Sequence, residues 1–443
     1  MEINENNLRK EYWRYIVPSL IAQIVFTLYT MVDALMVARG VSANALAGVN
    51  IAMPYVTVLW AIAIMFAVGT STIVARLMGA GDAEEADCVF TETIVVLSVF
   101  SVIISIAAYL GADVIADFLG ATENTREYTV TYIRTVSPFA LAYITSYVFE
   151  ILMPVDGHPK MASIVVSGGA ILNCILDYIF IFKFGWGVWG AAFATGVSQV
   201  ACVVVFVGHF LSKKANIRFC KFDMEWDLIW QEMKRGLPSG IADVAPGLII
   251  FISVFFINRY MDEGGLIANS TIGYTSILIT ICAVAIGQGS QPLVSYFNGA
   301  KRPDLIKKIF RWELKDTAII GCTALILMLI FAPTIVRFFI PNESEELITY
   351  SIRAFRIYLS FGIFNMYNVI LSQYTTALER PFVGSLLMLL RASLLLVVGM
   401  MVMIAIMGPE GIWLGLTASE AMTLVIGIAL YKKNRGYLKW NKQ

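Results

Sequence analysis

The stretch GVSANALAGVNIAMPYVTVLWAIAIMFAVGTSTIVA, residues 40–75, contains no Asp, Glu, Lys or Arg. Nor does GLIANSTIGYTSILITICAVAIGQGSQPLVSYFNGA, residues 265–300. About 20 apolar residues suffice for a helix to cross roughly 30 Å of hydrocarbon. Each stretch therefore holds one full span and the loop that leads into it. Working outward, Thr93–Ala112, Thr317–Val336 and Ala392–Pro409 are also free of charge. The whole chain agrees: 443 residues, 58% hydrophobic and only 14% charged, with a mean hydropathy of +0.74. Soluble domains carry about 25% charged residues. A soluble enzyme, a secreted disulfide scaffold and a disordered chain are all excluded by this composition.

The pattern predicts an all-α integral membrane protein with twelve transmembrane helices. The spans fall near 12–37, 50–77, 90–110, 128–153, 161–183, 189–211, 237–258, 268–297, 316–339, 350–377, 382–407 and 411–431. Lys and Arg concentrate in alternate connections, which sets the orientation. Lys213, Lys214, Arg218, Lys221, Lys234 and Arg235 lie between spans six and seven. Lys301, Arg302, Lys307, Lys308, Arg311 and Lys315 lie between eight and nine. Arg9, Lys10 and Arg14 begin the chain; Lys432, Lys433, Arg435, Lys439 and Lys442 end it. The opposite loops hold isolated cases such as Arg39, Arg126, Lys183 and Arg259. Both termini are thus expected on the cytoplasmic side of the cell (inner) membrane. No small-residue cleavage site follows the polar start, so no signal peptide is expected.

The two halves repeat. Pro18-Ser19 matches Pro238-Ser239, Gly79-Ala80 matches Gly299-Ala300, Arg134 matches Arg356, and Pro159 matches Pro381. Gly187-Val188-Trp189 matches Gly411-Ile412-Trp413. Six spans per half keep the same orientation, so the two six-helix lobes are expected to be related by a pseudo-two-fold axis along the membrane normal. The expected organisation is an N-terminal lobe at 1–212, a cytoplasmic linker at 213–235 and a C-terminal lobe at 236–443. Such repeats mark secondary transporters.

Ionisable groups inside a bilayer cost roughly 2.5–3.5 kcal/mol on insertion scales, so each needs a reason. Asp177 is sixteen residues beyond Met161, or about 24 Å up the fifth span. Asn173 is one turn below it on the same face. Asp33 and Thr195 also fall in the outer half of the membrane. Two carboxylates, an amide and a hydroxyl can meet at that level. Hard oxygen ligands suit a hard cation, and two close carboxylates can share a proton. The same residues can instead only hydrogen-bond neighbouring helices. The second half has Leu395–Val397 and Gly399–Met401 at the matching positions, so an ion site is expected in the first half alone. Arg391 and Glu420 lie near mid-membrane on consecutive antiparallel spans and are expected to pair as a structural ion pair. Asp243 either attracts a cationic substrate or faces water. Gln288, Tyr296 and Asn365 are candidates for lining a substrate cleft or for helix-packing hydrogen bonds; Gln291, Asn368 and Gln373 share that reading. Glu150 and Arg76 read as solvated or snorkelling near cytoplasmic ends. Pro18 and Pro238 are candidate helix-bending residues, unless they occupy a first helical turn.

Several stretches together carry a family resemblance: Pro18-Ser-Leu-Ile-Ala-Gln with Met31-Val-Asp33-Ala, Gly69-Thr-Ser-Thr-Ile-Val-Ala-Arg-Leu-Met-Gly79-Ala-Gly-Asp, Asn173-Cys-Ile-Leu-Asp177, Gly190-Ala-Ala-Phe-Ala-Thr195, and Gly287-Gln-Gly-Ser-Gln-Pro292. The chain resembles the MATE family of multidrug and toxic compound extruders, in its DinF/MepA-like branch, over essentially its whole length. The resemblance implies export of bulky, often cationic organic compounds by alternating access, coupled to inward Na⁺ or H⁺. It implies a cation site at Asp33, Asn173, Asp177 and Thr195. NorM-like members carry a deep acid in the seventh span; Asp243 lies only five residues past Pro238 and is not its equivalent. The alternative is a lipid-linked oligosaccharide flippase of the same superfamily, against which twelve spans and membrane acids argue.

No HExxH, GxSxG or GxxxxGK[ST] stretch is present, so no enzyme is expected. No cofactor is expected beyond the coupling ion. Equal numbers of basic and acidic residues suggest no nucleic-acid partner. The expected partners are small organic substrates and the bilayer, with the chain acting as a monomer. Six scattered cysteines and the distant pair His158 and His209 argue against a disulfide framework and a histidine metal site.

Overall fold

The computed structural model describes residues 7–261, 263–340 and 343–434. Arg435, Lys439 and Lys442 of the charge argument lie outside the described residues. Every regular element among those described is helical. The chain is a multi-pass membrane protein of twelve spans, six to each half. It divides into two compact units, Met1–Gly240 and Ile241–Gln443.

The first unit contains α1 (Leu8–Gly40), α2 (Ala43–Ala80), α3 (Ala83–Leu110), the short α4 (Ala112–Phe118), α5 (Arg126–Val136), α6 (Ala140–Val155), α7 (Pro159–Asp177) and α8 (Gly187–Phe210). α5 and α6 form one span bent through a tight turn at Ser137–Phe139, where Pro138 withholds a backbone donor. α7 runs on as a π-helical turn, Tyr178–Lys183. The core stacks aromatic rings: Phe90 packs against Phe149 and Phe210. On α3, Val99, Ile103, Ile106 and Leu110 point outward on one side. In a bilayer that apolar face meets lipid rather than water.

α9 (Trp226–Tyr260) joins the halves, and its first part packs within the first unit. The reason is two glycines. A Cβ on Gly69 would lie 2.1 Å from the Glu232 carbonyl oxygen, and one on Gly236 would lie 1.6 Å from that of Met65. Small residues let helix backbones approach closely. The second unit continues with α10 (Glu263–Gly299), α11 (Pro303–Phe339), α12 (Glu345–Tyr358), α13 (Phe361–Ala377), α14 (Pro381–Ala392), α15 (Leu394–Met407) and α16 (Ile412–Asn434). Its core gathers Phe355, Met400 and Trp413.

The eleventh span departs from the continuous helix expected at 382–407. It breaks at Ser393, with φ −130° and ψ −95°, two residues after Arg391. The Ser419 hydroxyl donates to the Arg391 carbonyl at 2.9 Å, satisfying an acceptor near the break. Pro18 and Pro238 both lie well inside their helices rather than in a first turn. Each removes a donor to the carbonyl four residues earlier, Arg14 or Lys234, which weakens the helix there.

Candidate functional site

Asp33 sits on α1, Asn173 and Asp177 on α7, and Thr195 on α8. α1 and α8 both pack against α7, which brings the four side chains together. The Asp33 and Asp177 carboxyls lie within hydrogen-bonding reach of each other. With the Asn173 amide oriented to suit its neighbours, its nitrogen donates to Asp177 Oδ2 at 3.1 Å. Its oxygen accepts from the hydroxyl and the backbone N–H of Thr195, each at 3.2 Å. Asp177 is fully buried, and Asn173 and Thr195 nearly so. Two oxygens in this set, Asp33 Oδ1 and Asp177 Oδ1, are buried with no hydrogen-bond partner among the described residues. Buried acceptors left in this way are costly. The donor set of carboxylate, amide and hydroxyl oxygens suits a hard ion such as Na⁺. The π-helical turn begins immediately after Asp177. Such turns interrupt regular hydrogen bonding and recur at functional sites.

Three tyrosines surround the set and were missed by sequence reasoning. Tyr29 and Tyr132 lie close to Asp33 and Asp177, and Tyr143 is within hydrogen-bonding reach of Thr195. Tyr29 is one helical turn before Asp33, a spacing that the sequence does display. Tyr132 and Tyr143 arrive from the bent fourth span, with no local signal.

Asn173 and Thr195 also face a small cavity, about 50 Å³, inside the first unit. Phe26, Tyr29, Trp60, Tyr143 and Tyr147 supply aromatic walls, and Glu150 the acidic group. This corrects the reading of Glu150 as a solvated or snorkelling residue: its face of α6 turns inward, because α6 packs against α2, α7 and α8. No Lys or Arg is among the residues lining this cavity.

The candidates of the second half have other surroundings. Arg391 Nη1 lies 3.2 Å from Glu420 Oε1 in a fully buried setting. Asn365 donates to Glu420 Oε1 at 2.9 Å, and Asn368 to Oε2 at 2.7 Å. Asn365 is thus a member of this network rather than a cleft residue, and Thr280 donates to its oxygen at 3.2 Å. Asp243, Gln288 and Tyr296 are half-buried on α9 and α10.

Sequence distance misled in two further places. His158 and His209, far apart in the chain, have ring centroids 4.6 Å apart. The start of α7 and the end of α8 meet because these antiparallel neighbours share one end of the lobe. Cys88 and Cys220, both free thiols, lie 3.0 Å apart where the α8–α9 connection crosses α3.

The MatE family model matches residues 18–179 and 238–402. The multidrug export protein MepA of Staphylococcus aureus is 24% identical over 310 residues, covering 68% of this chain and 67% of that protein. MepA of Staphylococcus haemolyticus is 24% identical over 343 residues, covering 76% and 74%. An outward-facing multidrug resistance MATE family transporter of the MOP superfamily superposes with a TM-score of 0.90 at 21% identity. That superposition covers 97% of this chain and 96% of the other.

Proposed function

The chain belongs to the MatE family, and from that premise we propose that it exports bulky, often cationic organic compounds in exchange for Na⁺ or H⁺. One observation carries the reading: Asn173 and Thr195, which adjoin the Asp33 and Asp177 carboxyls, line an aromatic cavity that also holds Glu150. Substrate and ion then bind next to each other. Planar cations gain from aromatic faces, and a buried acid supplies the opposite charge. The MepA relatives, named as multidrug exporters, support the substrate class.

Coupling requires that the ion bind one conformation better than the other; equal binding would shift nothing. In the ion-bound state Asp33 on α1 and Asp177 on α7 share a Na⁺ or a proton, with Asn173 and Thr195 completing the shell. A shift of α1 against α7 parts the carboxylates and releases the ion. Pro18, inside α1, is a natural point for such a bend. We place both termini in the cytoplasm and the protein in the cell membrane, acting as a monomer without chemistry on its substrate. The acidic cavity wall favours this reading over a flippase for a pyrophosphate-linked lipid.

The test is dye efflux from proteoliposomes with Na⁺ and H⁺ gradients imposed separately. Uphill ethidium export driven by one of the two is the expected result. Export driven by neither, in protein that binds ethidium, would overturn the coupling. Binding of a polyprenyl pyrophosphate in place of ethidium would overturn the substrate class.

A further inference from the structure

We propose that Asp156, His158 and His209 form a binding site for a divalent transition metal of the zinc class, at the corner of the first unit where the α8–α9 connection begins. Asp156 ends α6 and is fully buried. Its Oδ2 accepts from His158 Nδ1 at 2.9 Å and from His209 Nε2 at 2.7 Å. One ligand atom from each of the three residues falls within a 4.8 Å cluster.

The surroundings hold this arrangement in place. Asp156 Oδ1 accepts from the backbone N–H groups of Asn216 and Ile217, at 2.6 and 2.7 Å. The Asn216 amide donates to the Asp156 carbonyl at 2.6 Å. A carboxylate pinned by one oxygen presents the other in a fixed direction, as outer-shell partners do for metal ligands. His209 is buried, whereas the His158 side chain remains 35% exposed. That exposure gives an ion access from water and leaves space for a solvent ligand.

Two imidazoles and one carboxylate select zinc-like ions over Mg²⁺ and Ca²⁺, which prefer oxygen alone. Tetrahedral bonds of about 2.0 Å set neighbouring ligand atoms roughly 3.3 Å apart. The two Asp156–histidine separations are shorter, so an ion would spread each by about half an ångström; the partly exposed His158 ring has room to move, and the buried His209 ring would have to shift slightly. Bound metal would tie the α6–α7 turn, the last turn of α8 and the start of the connection together. The site lies outside the coupling set, so it stands or falls independently of the transport reading.

The experiment uses the full chain without a histidine tag, purified in detergent and stripped with chelator. Co²⁺ is titrated by its visible d–d absorption, then displaced by Zn²⁺, and thermal unfolding is followed with and without Zn²⁺. The expected result is saturation at one Co²⁺ per chain, displacement by Zn²⁺ and a higher unfolding temperature. His158→Gln and His209→Gln should each weaken binding at least tenfold and remove the thermal shift. Because His158 is partly exposed, its variant tests the site even if changes at buried His209 disturb folding. Folded wild type with no saturable Co²⁺ signal, or undiminished binding by His158→Gln, would overturn the proposal and leave a hydrogen-bonded anchor. A strong thiolate charge-transfer band would also overturn it, by placing the metal on Cys88 and Cys220.

Discussion

The two halves repeat in sequence, yet their interiors differ at matching positions. The alignment that pairs Arg134 with Arg356 and Pro159 with Pro381 also pairs Tyr143 with Asn365, Ser146 with Asn368 and Gly169 with Arg391. In the first half these three positions line a cavity. In the second half they fill the same region with a network centred on Glu420. Both Glu420 carboxylate oxygens are engaged there, whereas Asp33 Oδ1 and Asp177 Oδ1 have no hydrogen-bond partner among the described residues. A glycine in one copy and an arginine in the other separate a chamber from a cross-linked strut. The acid in the strut is neutralised by its own arginine and has no spare oxygen for an ion. The difference between the halves thus resides in side chains, while the helix plan stays common.

The largest effect that would break this contrast is at the carboxylates. Asp177→Asn and Asp33→Asn should each lower uphill ethidium efflux at least 100-fold, while expression and dye binding persist. Asp177→Asn should be at least as severe, since Asp177 shares a helix face with Asn173. Asn173→Ala and Thr195→Ala should be milder, because water can replace a neutral ligand. The measurement is efflux in cells lacking their own pumps, with expression checked by blot. Near-normal efflux by both Asp variants would end the idea that the first half alone couples the ion.

Next comes the strut. Arg391→Ala or Glu420→Ala leaves an uncompensated buried charge, costing about 3–5 kcal/mol. Each should lower the unfolding temperature in detergent. Replacing the pair by Met and Leu together should recover part of the loss. The fraction that still folds should keep its ion dependence, which distinguishes strut from chamber. Two thermally silent single variants would refute the structural role.

Glu150→Gln offers a smaller and sharper test of the chamber. Its counterpart in the second half is Ser372, so the charge belongs to one lobe only. The change should weaken binding of ethidium by about tenfold, the scale of 1.4 kcal/mol, with little effect on a neutral dye. Equal losses for both dyes would mean that Glu150 shapes the cavity without attracting charge.

The residues explain how far sequence alone reaches. Charge-free stretches and matched motifs are local signals, so spans and the two-lobe plan were legible directly. Asp33, Asn173, Asp177 and Thr195 could be placed at one depth, because rise per residue converts position into height. Depth does not give azimuth, however, and the inward face of Glu150 was misread for that reason. Tyr132 and Tyr143 flank a bend at Ser137–Phe139, and the carbonyl of Arg391, near the break at Ser393, is bonded by Ser419 from another helix. His158 with His209, and Cys88 with Cys220, meet through tertiary packing with no spacing rule behind them.

The smallest predicted effect concerns two turns that the repeat places at matching positions. Gly81 closes α2 with φ 88°, and Lys301 follows α10 with φ 55°. Likewise Gly157 has φ 93° and Glu379 has φ 58°. The left-handed conformation is costless for glycine but costs other residues about 1 kcal/mol. The second half therefore retains the turn geometry while carrying side chains that disfavour it. Lys301→Gly relieves that cost but enlarges the freedom of the unfolded chain, which opposes part of the gain. The net should be a rise in unfolding temperature of about 1 °C. For the reciprocal change, Gly81→Lys, the added Cβ meets no neighbouring atom within 4 Å, so the backbone conformation sets its cost. It should lower stability by about 1 kcal/mol. Thermal unfolding of both variants in one detergent checks the pair. A destabilised Lys301→Gly with an unaffected Gly81→Lys would show that the two turns, alike in backbone, are held by different forces.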